Sequence, residues 1–593
     1  MNVRACSLVL LGVFVRLTLG AAGPALELSD AATCTAFSLP TLRADARPVL
    51  TVGLMSDTHL TRKPSSVVRA RLAMELFRKL GADVIAHLGD LADWHYEEAY
   101  AFYRKAIDSV FPPSSRRPVM LYAFGDHDAL EPARRKGPRA GRIVDRRQSF
   151  SDMAARLGID HGYSDLKVIA GLPFLIFPES FDKELTLADY ERILSETCAR
   201  FPSGPVFVLE HPPAYQTTYN SCFQDPRRRA VLDKFPRVVD ISGHKHASVK
   251  NELCIWQGTF TAIQTSCLQK WYGLNIGDRI VGKESWCVCV MQVFPDRLVI
   301  RRYDIRDGVE FRPDAPWTVP LPFAPEAAPL TVAARRRTER AAVFPAGAAL
   351  SVEVDGAPFS QVGVKFPTTI DPDIVLHYRV EAARRNAGGD WERFVRTDVF
   401  GDFYERPVDR KGALSWNFDS ALFDAGGEYR FTVTPVGFFG TEGAPISCLW
   451  RAPEKVPSEV VWRCDHPMEE LKFVGGAKTH RESDWLVCGP GEFRIDPPPE
   501  ALAGCKGDRF TFVVEMQTVQ TDVPVGVAFG VSRAAWSVGL LTPPGDSGMV
   551  RYALAEELCG DKPGWAFKFA GKGSLKVRFA KLWIERRKIS RCR

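Results

Sequence analysis

Five short clusters of aspartate, histidine and glycine constrain this chain more than any other feature of its sequence. Each follows an apolar segment that is predicted to be a strand. The clusters are Asp57-Thr58-His59, Gly89-Asp90, Gly125-Asp126-His127-Asp128, His211 and Gly243-His244-Lys245-His246. One such cluster can arise by chance, but the ordered series in register with strands is improbable as a chance event. Side chains at strand ends of an α/β domain line the crevice in which such folds bind ligands, so the sequence predicts one polar site.

Apolar strands alternate with amphipathic helices between about residues 49 and 311. A short apolar run at 49–55 predicts a strand, and apolar residues at helical spacing over 68–80 predict the helix that follows it. Further strands are predicted at 83–88, 119–124, 168–177, 206–209 and 238–241. Thr186 and Asp189 predict the start of an intervening helix. Strands and helices in alternation imply a layered α/β domain.

Taken together, the five clusters resemble the motif series of the calcineurin-like metallophosphoesterase superfamily, namely D-x-H, GD, GNH[DE], H and GHxH. The resemblance covers about half of the chain and implies a domain over 45–320, folded as a four-layer αββα sandwich of two mixed sheets flanked by helices. It also implies a centre of two metal ions at the strand ends. By this resemblance, the ligands are Asp57, His59 and His246 for the first ion, Asp126, His211 and His244 for the second, and Asp90 as the bridge.

The residue types fit that chemistry. Neutral imidazoles and carboxylates suit divalent Mn, Fe, Zn or Co, whereas an all-oxygen site would favour Mg or Ca. Two cations about 3.5–4 Å apart need a shared anionic ligand, which Asp90 can supply. Coordination lowers the pKa of water to around 7, so a metal-bridging hydroxide can act as the nucleophile. His127 is predicted to donate a proton to the leaving oxygen, with Asp128 orienting its ring.

Two positions depart from the patterns of the superfamily. Asp126 stands where the family has a metal-binding asparagine, so an oxygen ligand is kept while an N–H donor is lost and negative charge is added. Asp93 stands where purple acid phosphatases have a tyrosine that binds iron(III), so no tyrosinate-to-iron colour is expected. Asp93 is either a group behind the ligands or an exposed turn residue.

The length of 593 residues requires several domains. Residues 320–346 are rich in Pro and Ala and contain the run Arg335 to Arg337, which indicates a linker or an edge strand. Alternating apolar and polar residues then predict a β-sandwich over 325–455, in which 427–437 resembles a strand of fibronectin type III-like domains. A second all-β unit over 456–593 is similar to jelly-roll modules of the carbohydrate-binding type.

Residues 1–22 have the layout of a secretory signal peptide. Arg4 gives a charged start, 6–15 form a short apolar run, and small residues at 20–22 offer a cleavage site. That run is shorter than the roughly 20 residues needed to span a bilayer, and no later run is long enough, so no transmembrane anchor is predicted. The sequence thus predicts a secreted or periplasmic protein, in which disulfides are the natural use of the cysteines.

The charge pattern narrows the partners. A net charge of +6 is small for this length and is spread along the chain, so no specific nucleic-acid groove is evident. The runs Arg134-Arg135-Lys136 and Arg227-Arg228-Arg229 are interpreted as solvated loops. The expected partners are a phosphate-ester substrate and, through the C-terminal modules, a cell-surface glycan.

Three functional hypotheses follow. The first is a secreted dinuclear-metal phosphoesterase that acts on a phosphate mono- or diester. The alternative is an exported envelope- or glycan-binding protein, in which the altered Gly125–Asp128 motif marks a weakened or inactive enzyme domain. Retention of every other predicted ligand favours the active enzyme, because a decayed centre usually loses some of them. A nuclease, which needs a basic groove, is a weaker third hypothesis.

Overall fold

The structure is a computed structural model that describes residues 47–94, 97–129, 145–179, 185–219, 221, 224–271, 283–354, 361–453, 459–470, 473–475, 479–488, 491–498, 509–520, 526–532, 535–541, 549–557, 565–570 and 575–587. The signal peptide predicted at 1–22 lies outside the described residues. No helix within the described ranges is long and apolar enough to cross a membrane.

Strands and helices alternate through the N-terminal part of the chain, as predicted. The strands are β1 (Leu50–Met55), β2 (Val84–Leu88), β3 (Val119–Ala123), β4 (Asp165–Ile169), β5 (Leu172–Ile176), β6 (Val206–Leu209), β7 (Val238–Ser242), β8 (Ile255–Gln257), β9 (Thr261–Gln264), β10 (Lys270–Trp271), β11 (Lys283–Glu284), β12 (Cys287–Val293), β13 (Arg297–Asp304), β14 (Val309–Phe311) and β15 (Trp317–Pro320). The helices are α1 (Val68–Lys79), α2 (Glu97–Val110), α3 (Arg146–Leu157), α4 (Leu187–Arg200) and α5 (Pro226–Leu232). The predicted start of α4 is confirmed, because the Thr186 hydroxyl accepts a hydrogen bond from Asp189 N and the Asp189 carboxylate accepts one from Thr186 N.

Most of these strands form two mixed sheets within the described ranges. The first has the order β14–β13–β12–β1–β2–β3, with β15 also paired to β13, and its strands β1, β2 and β3 are parallel. The second has the order β4–β5–β6–β7–β9–β8, and its strands β5, β6, β7 and β9 are parallel. Parallel neighbouring strands end at the same edge of a sheet. Asp57, Asp90 and Asp126 therefore follow strand ends of the first sheet, and His211 and His244 follow strand ends of the second.

The two sheets pack face to face between two layers of helices. Alternate residues of the strands, such as Leu54 of β1 and Leu209 of β6, lie in the core that the sheets share. Met55 of β1 packs instead with α1, α2 and α3, and Val208 of β6 packs with α4 and α5. The four-layer α/β fold that the sequence predicts is therefore observed.

The downstream part of the chain is rich in β-structure, again as predicted. After helix α6 (Val332–Thr338), two facing sheets have the orders β16–β17–β20 and β19–β18–β21–β22 and share an aromatic core. Their strands are β16 (Ser351–Val354), β17 (Gln361–Pro367), β18 (Val375–Arg385), β19 (Trp391–Phe400), β20 (Ala413–Asp419), β21 (Glu428–Gly437) and β22 (Ile446–Arg451). We call this pair of sheets the first β-sandwich. Its fibronectin type III-like character stays a prediction.

Two further sheets follow, with helix α7 (Pro467–Glu470) between their first strands. The strands are β23 (Glu459–Cys464), β24 (Phe473–Gly475), β25 (Thr479–Glu482), β26 (Trp485–Cys488), β27 (Gly491–Ile495), β28 (Arg509–Gln520), β29 (Gly526–Ser532), β30 (Ala535–Leu541), β31 (Met549–Glu557), β32 (Trp565–Ala570) and β33 (Leu575–Arg587). The sheet orders are β25–β26–β33–β28–β31, with β23 on β33, and β24–β27–β32–β29–β30. The buried Trp565 indole of one sheet donates a hydrogen bond to Val513 O of the other. The jelly-roll character of this unit stays a prediction.

Two arginine runs differ from their sequence-based interpretation. In the run at 227–229, Arg228 is buried, and its Nη1 lies 3.1 Å from Glu210 Oε2. It shares the inward face of α5 with Val231 and Leu232, three and four residues later, so helical periodicity buries it. The run at 335–337, in the segment interpreted as a linker or an edge strand, lies in helix α6 and not in a strand, and its Arg335 is buried. The run at 134–136 lies outside the described residues.

The cysteines do not fit the expectation of disulfides where they can be examined. Within the described residues, Cys198, Cys254, Cys267, Cys287, Cys289, Cys448, Cys464 and Cys488 form no disulfide. Most of them are buried and pack as small apolar groups, which is a common use of cysteine. Cys34, Cys222, Cys505, Cys559 and Cys592 lie outside the described residues.

Candidate metal centre

The backbone at the strand ends has an unusual conformation. Positive φ angles occur at Asp57 (53°), His59 (43°), Asp90 (54°), His244 (71°) and His246 (49°). A residue other than glycine in the left-handed region costs about 1–3 kcal/mol and persists only where the surrounding structure holds it there. Such residues concentrate at functional sites. These five of the nine such residues in the described part of the chain are predicted metal ligands, so the strained backbone is concentrated at the strand-end loops.

Two glycines of the motifs are required by close packing. A Cβ atom at Gly243 would clash with the Ser56 hydroxyl and lie 2.7 Å from Asp57 Oδ2. A Cβ atom at Gly89, where φ is +90°, would clash with the His211 imidazole. Glycine therefore lets the loops of the two sheets approach each other until their polar side chains converge.

Asp57, His59, Asp90 and His246 form a group that we call the inner cluster. One potential ligand atom from each lies within 4.8 Å of the others. His246 Nε2 is 3.3 Å from Asp57 Oδ1, and His59 Nε2 is 3.6 Å from Asp90 Oδ2. The Nε2 atoms of His59 and His246 face each other at 3.1 Å. All four side chains are buried.

Asp90, Asp126, His211 and His244 form a second group, the outer cluster, again with ligand atoms within 4.8 Å. His211 Nε2 is 3.2 Å from Asp90 Oδ2 and 3.3 Å from Asp126 Oδ1. His244 Nδ1 is 3.4 Å from Asp126 Oδ1. The side chains of Asp126 and His244 are 36% and 28% exposed, whereas that of His211 is fully buried. Asp90 belongs to both clusters.

The donor atoms fit metal ions. Oδ1 of Asp57 and Oδ1 of Asp126 are buried, and neither has a hydrogen-bond partner among the described residues. A buried carboxylate oxygen without a partner is costly, and a cation in the cluster would satisfy it. Neutral imidazole nitrogens that converge with carboxylate oxygens are the donor set of Mn, Fe, Zn or Co. Each cluster is therefore a candidate site for a metal ion.

Contacts behind the clusters fix the ligands in place. His211 Nδ1 lies 2.6 Å from Leu88 O, which leaves Nε2 directed at the centre. Oδ2 of Asp57 accepts hydrogen bonds from the Ser56 hydroxyl at 2.5 Å and from His244 N at 2.9 Å. The free oxygen of Asp57 then points into the inner cluster. Such outer contacts orient ligands and are typical of metal sites.

His127 lies beside the inner cluster, with its ring centroid 4.6 Å from that of His59. The predicted contact between its ring and Asp128 is not observed. Instead, the Asp128 carboxylate accepts hydrogen bonds from Ala92 N and Gly125 N, both at 3.0 Å, because Asp128 lies within a tight 3₁₀ turn and is fully buried.

Asp93 makes the contact with the His127 ring that was predicted for Asp128. His127 Nδ1 lies 3.0 Å from Asp93 O and 3.4 Å from Asp93 Oδ1. The same Oδ1 is 3.3 Å from His59 Nδ1. Of the two interpretations offered for Asp93, the group behind the ligands is the one observed.

The charges of the site oppose the effect of burial. Burial alone would raise the pKa of Asp126, but His211 and His244 hold it well below its ordinary value. Burial would lower the pKa of His127, but the carboxylates of Asp90 and Asp93 outweigh it and raise the pKa of His127 to about 10. Without bound metal ions, these carboxylates therefore favour the protonated form of His127, which can donate a proton.

The structure brings together all seven predicted ligands. His127 packs beside them against His59, and the Asp128 carboxylate is bound to backbone N–H groups. Sequence reasoning missed the contacts of Asp93 with two histidine rings. The only signal was its position three residues after Asp90, which is a weak one. It also missed Cys267, which follows β9 and interacts with the His246 imidazole.

Residues 50–248 match the family described as Calcineurin-like phosphoesterase. The matched segment contains every residue of both clusters. The N-terminal α/β domain is therefore a calcineurin-like phosphoesterase domain.

No curated protein matches the chain significantly. Similar solved structures include a purple acid phosphatase from yellow lupin (Lupinus luteus) seeds, at 14% identity and a TM-score of 0.30, over 46% of this chain and 53% of that chain. A protein of Streptococcus pneumoniae TIGR4 described as a predicted phosphoesterase has 9% identity and a TM-score of 0.21, over 46% of this chain and 97% of that chain. A xylan-binding domain from Paenibacillus barcinonensis has 8% identity and a TM-score of 0.16, over 22% of this chain and 97% of that chain. Similarities at this level are too weak to assign a function.

Proposed function

We propose that this chain is a secreted dinuclear-metal phosphoesterase that hydrolyses a phosphate mono- or diester. The observation that carries the proposal is the sharing of Asp90 by two groups of converging imidazole and carboxylate atoms. The inner ion would be held by Asp57, His59 and His246, the outer ion by Asp126, His211 and His244, and both by Asp90. When bound, such ions supply Lewis-acid activation of water and of the phosphoryl oxygens.

The exposure of the two clusters favours one direction of substrate approach. Asp57 and His59 are only 1% and 3% exposed, whereas Asp126 and His244 of the outer cluster reach solvent. A phosphate ester would therefore meet the centre from the outer cluster. His127 is 16% exposed and its ring packs against that of His59, so it can reach an ester bound at the centre.

His127 is the proposed general acid. The Asp93 carboxylate and carbonyl oxygen hold its Nδ1, which leaves Nε2 to donate a proton to the leaving oxygen. Bound cations would offset part of the negative charge of Asp90 and lower the pKa of His127 from about 10 toward neutrality. Asp128 would act indirectly, by fixing the turn that carries His127.

Asp126 tunes the outer cluster in this proposal. Its Oδ1 can bind a cation as the amide oxygen of asparagine would, but its second oxygen cannot donate a hydrogen bond to a phosphate. The added negative charge also opposes an anionic substrate. We therefore expect a working enzyme with turnover below that of an asparagine-containing centre.

Other parts of the proposal rest on the sequence. Export to the cell exterior or periplasm rests on the layout of residues 1–22. Attachment to a cell-surface glycan rests on the jelly-roll-like pattern of the C-terminal strands.

The test is hydrolysis of p-nitrophenyl phosphate and bis-p-nitrophenyl phosphate by metal-stripped protein refilled with Mn²⁺, Zn²⁺, Fe²⁺ or Mg²⁺. His211→Ala removes a ligand of the outer cluster. His480→Ala is the matched control, because His480 is an exposed histidine of β25 that pairs with Glu482.

Metal-dependent turnover that is lost in His211→Ala and kept in His480→Ala supports the enzyme, and the preferred ester separates a monoesterase from a diesterase. Absence of turnover with bound metal, even after Asp126→Asn, would favour the glycan-binding alternative.

A further inference from the structure

Cys267 occupies a special position behind the metal centre. It follows β9, is fully buried, and forms a parallel β-bridge with Ser56, the residue before the ligand Asp57. The next residue, Leu268, donates its N–H to Ser56 O at 3.1 Å and to Asp57 O at 3.2 Å. The backbone around Cys267 is thus attached to the loop that carries the first ligands. Cys267 lies outside residues 50–248, which match the family.

The side chain of Cys267 meets the inner cluster directly. Its thiol is close enough to the His246 imidazole to interact with it electrostatically and as a hydrogen-bonding group. The Nε2 atom of the same ring faces Asp57 Oδ1 and His59 Nε2. The thiol therefore contacts a ring that also faces the inner cluster. A hydrogen-bonding group that is not itself a ligand can fix the orientation of a ligand imidazole.

The other side of Cys267 packs against the first β-sandwich. Its neighbours in one buried cluster are aromatic residues at the ends of β19 and β21, together with Leu376 of β18. The aromatic residues are Phe400, Phe403, Phe438 and Phe439. Ring centroids of Phe403 and Phe438 are 5.0 Å apart, and those of Phe400 and Phe403 are 5.2 Å apart, so the rings form one packed group. We call these four side chains the aromatic support.

Polar contacts fix the aromatic support to the catalytic domain. The buried Lys250, four residues after His246, donates hydrogen bonds from Nζ to Tyr404 O and Glu405 O at 3.5 and 3.4 Å. Arg336 Nε donates to Phe439 O at 2.9 Å. The segment that carries His246 is therefore held by the sandwich through both apolar and polar contacts.

We propose that Cys267 is a positioning residue for His246 and that the aromatic support of the first β-sandwich holds Cys267 in place. The inference rests on the proposed function, because it takes His246 to be a metal ligand. On this basis the sandwich is part of the support of the metal centre and not a separately attached binding module. Removing the support should weaken the inner ion selectively, since Cys267 touches a ligand of the inner cluster alone.

A cysteine that merely fills space would behave differently. Its replacement would lower the free energy of unfolding without distinguishing between the two ions. The informative readout is therefore the separate affinity of each ion, measured by calorimetric titration of metal-stripped, full-length protein with Mn²⁺. Hydrolytic activity is not needed for this measurement.

The variants are Cys267→Ala, Cys267→Ser and Phe403→Ala. Cys267→Ser keeps the volume and a hydrogen-bonding group, so it remains informative if Cys267→Ala does not fold. Phe344→Ala is the matched control, because Phe344 is buried in the core of the same sandwich without being part of the aromatic support. Circular dichroism establishes that each variant is folded before titration.

Cys267→Ala is expected to weaken one Mn²⁺ site by about 10- to 100-fold and to leave the other within about threefold. Cys267→Ser should recover most of the loss, Phe403→Ala should weaken the same site by about 3- to 10-fold, and Phe344→Ala should change neither site.

Wild-type affinity for both ions in folded Cys267→Ala and Cys267→Ser, or equal loss at both sites, would overturn the inference. Two bound ions in the wild-type protein without hydrolysis of any ester would overturn the proposed function alone.

Discussion

The inner and outer clusters use the same kinds of ligand but lie in different surroundings. The inner cluster is buried on all sides, and its ligands are held by Ser56, Asp93 and Cys267. In the outer cluster, His211 and the shared Asp90 are buried, whereas Asp126 and His244 reach solvent. Under the proposed function, the inner cluster would anchor the centre and the outer cluster would face the substrate.

Substitution of the shared Asp90 gives the largest expected effect, because it removes a residue common to both clusters. Asp90→Ala deletes the carboxylate common to both, so it should abolish tight binding of both ions and reduce kcat/KM by about 10³-fold or more. The measurement is the rate of bis-p-nitrophenyl phosphate hydrolysis at saturating Mn²⁺, together with the metal content. Activity of the Asp90→Ala variant within tenfold of the wild type would show that Asp90 does not bridge two metal ions.

Single histidine replacements separate the two clusters. His59→Ala should weaken binding of one Mn²⁺ by about 10³-fold, because the ligand works in a buried site of low effective dielectric constant. His244→Ala should weaken the other by about 10²-fold, since water can replace an exposed ligand. The measurement is a calorimetric titration with Mn²⁺. Equal losses of affinity in the two variants would contradict the difference between the inner and outer clusters.

Glu252 tests the packing behind the inner cluster. It lies six residues after His246 and accepts hydrogen bonds from Arg302 and the Trp317 indole at 2.8 Å and from Arg335 at 3.0 Å. Burial would raise its pKa, but Arg302 and Arg335 outweigh burial and lower the pKa of Glu252 to about 2. The stabilisation that this provides is therefore present above the ordinary pKa of 4.5 and is lost as the pH falls toward 2.

Glu252→Gln should accordingly reduce the free energy of unfolding at pH 7 by about 3 kcal/mol, with the difference from the wild type shrinking between pH 4.5 and 2. Urea unfolding at pH 7, 4 and 3 measures it. Glu381→Gln, on a partly exposed pair with Arg393, is the control and should change stability by less than about 1 kcal/mol. A constant difference across the pH range would contradict the assignment.

Asp126→Asn should have the smallest effect and sharpens the account of the outer cluster. It restores an N–H donor and removes one negative charge near the substrate, so kcat/KM should rise by about 3- to 10-fold while both ions stay bound. The check is a comparison of kcat and KM at saturating Mn²⁺. A fall in metal content would mean that the outer ion needs the negative charge of the Asp126 carboxylate, and that the neutral amide oxygen of asparagine cannot replace it.

The sequence was sufficient to predict the α/β layers and the convergence of the seven proposed ligands for a clear physical reason. The ligands are short motifs that directly follow apolar strands, and parallel strands deliver their ends to one edge. What it could not predict depends on contacts between distant segments. Arg228 and Arg335 are buried because Glu210 and Glu252 lie opposite them. Such pairs leave no local pattern in the sequence.

Side-chain directions within the motifs were also beyond prediction. Asp128 follows His127 directly, which suggested that it orients the ring, but the tight turn directs its carboxylate to backbone N–H groups. The ring is held by Asp93, and nothing in the spacing of the motif reveals this. Cys267 is a similar case, since its role depends on packing against a sandwich more than one hundred residues later in the sequence.

The central claim is that two clusters sharing Asp90 hold two metal ions. The most direct measurement is anomalous diffraction from crystals of the Mn²⁺-loaded protein. The account predicts two peaks about 3.5–4 Å apart, one among Asp57, His59 and His246 and one among Asp126, His211 and His244, with Asp90 between them. A single peak, or no peak at either cluster, would contradict it.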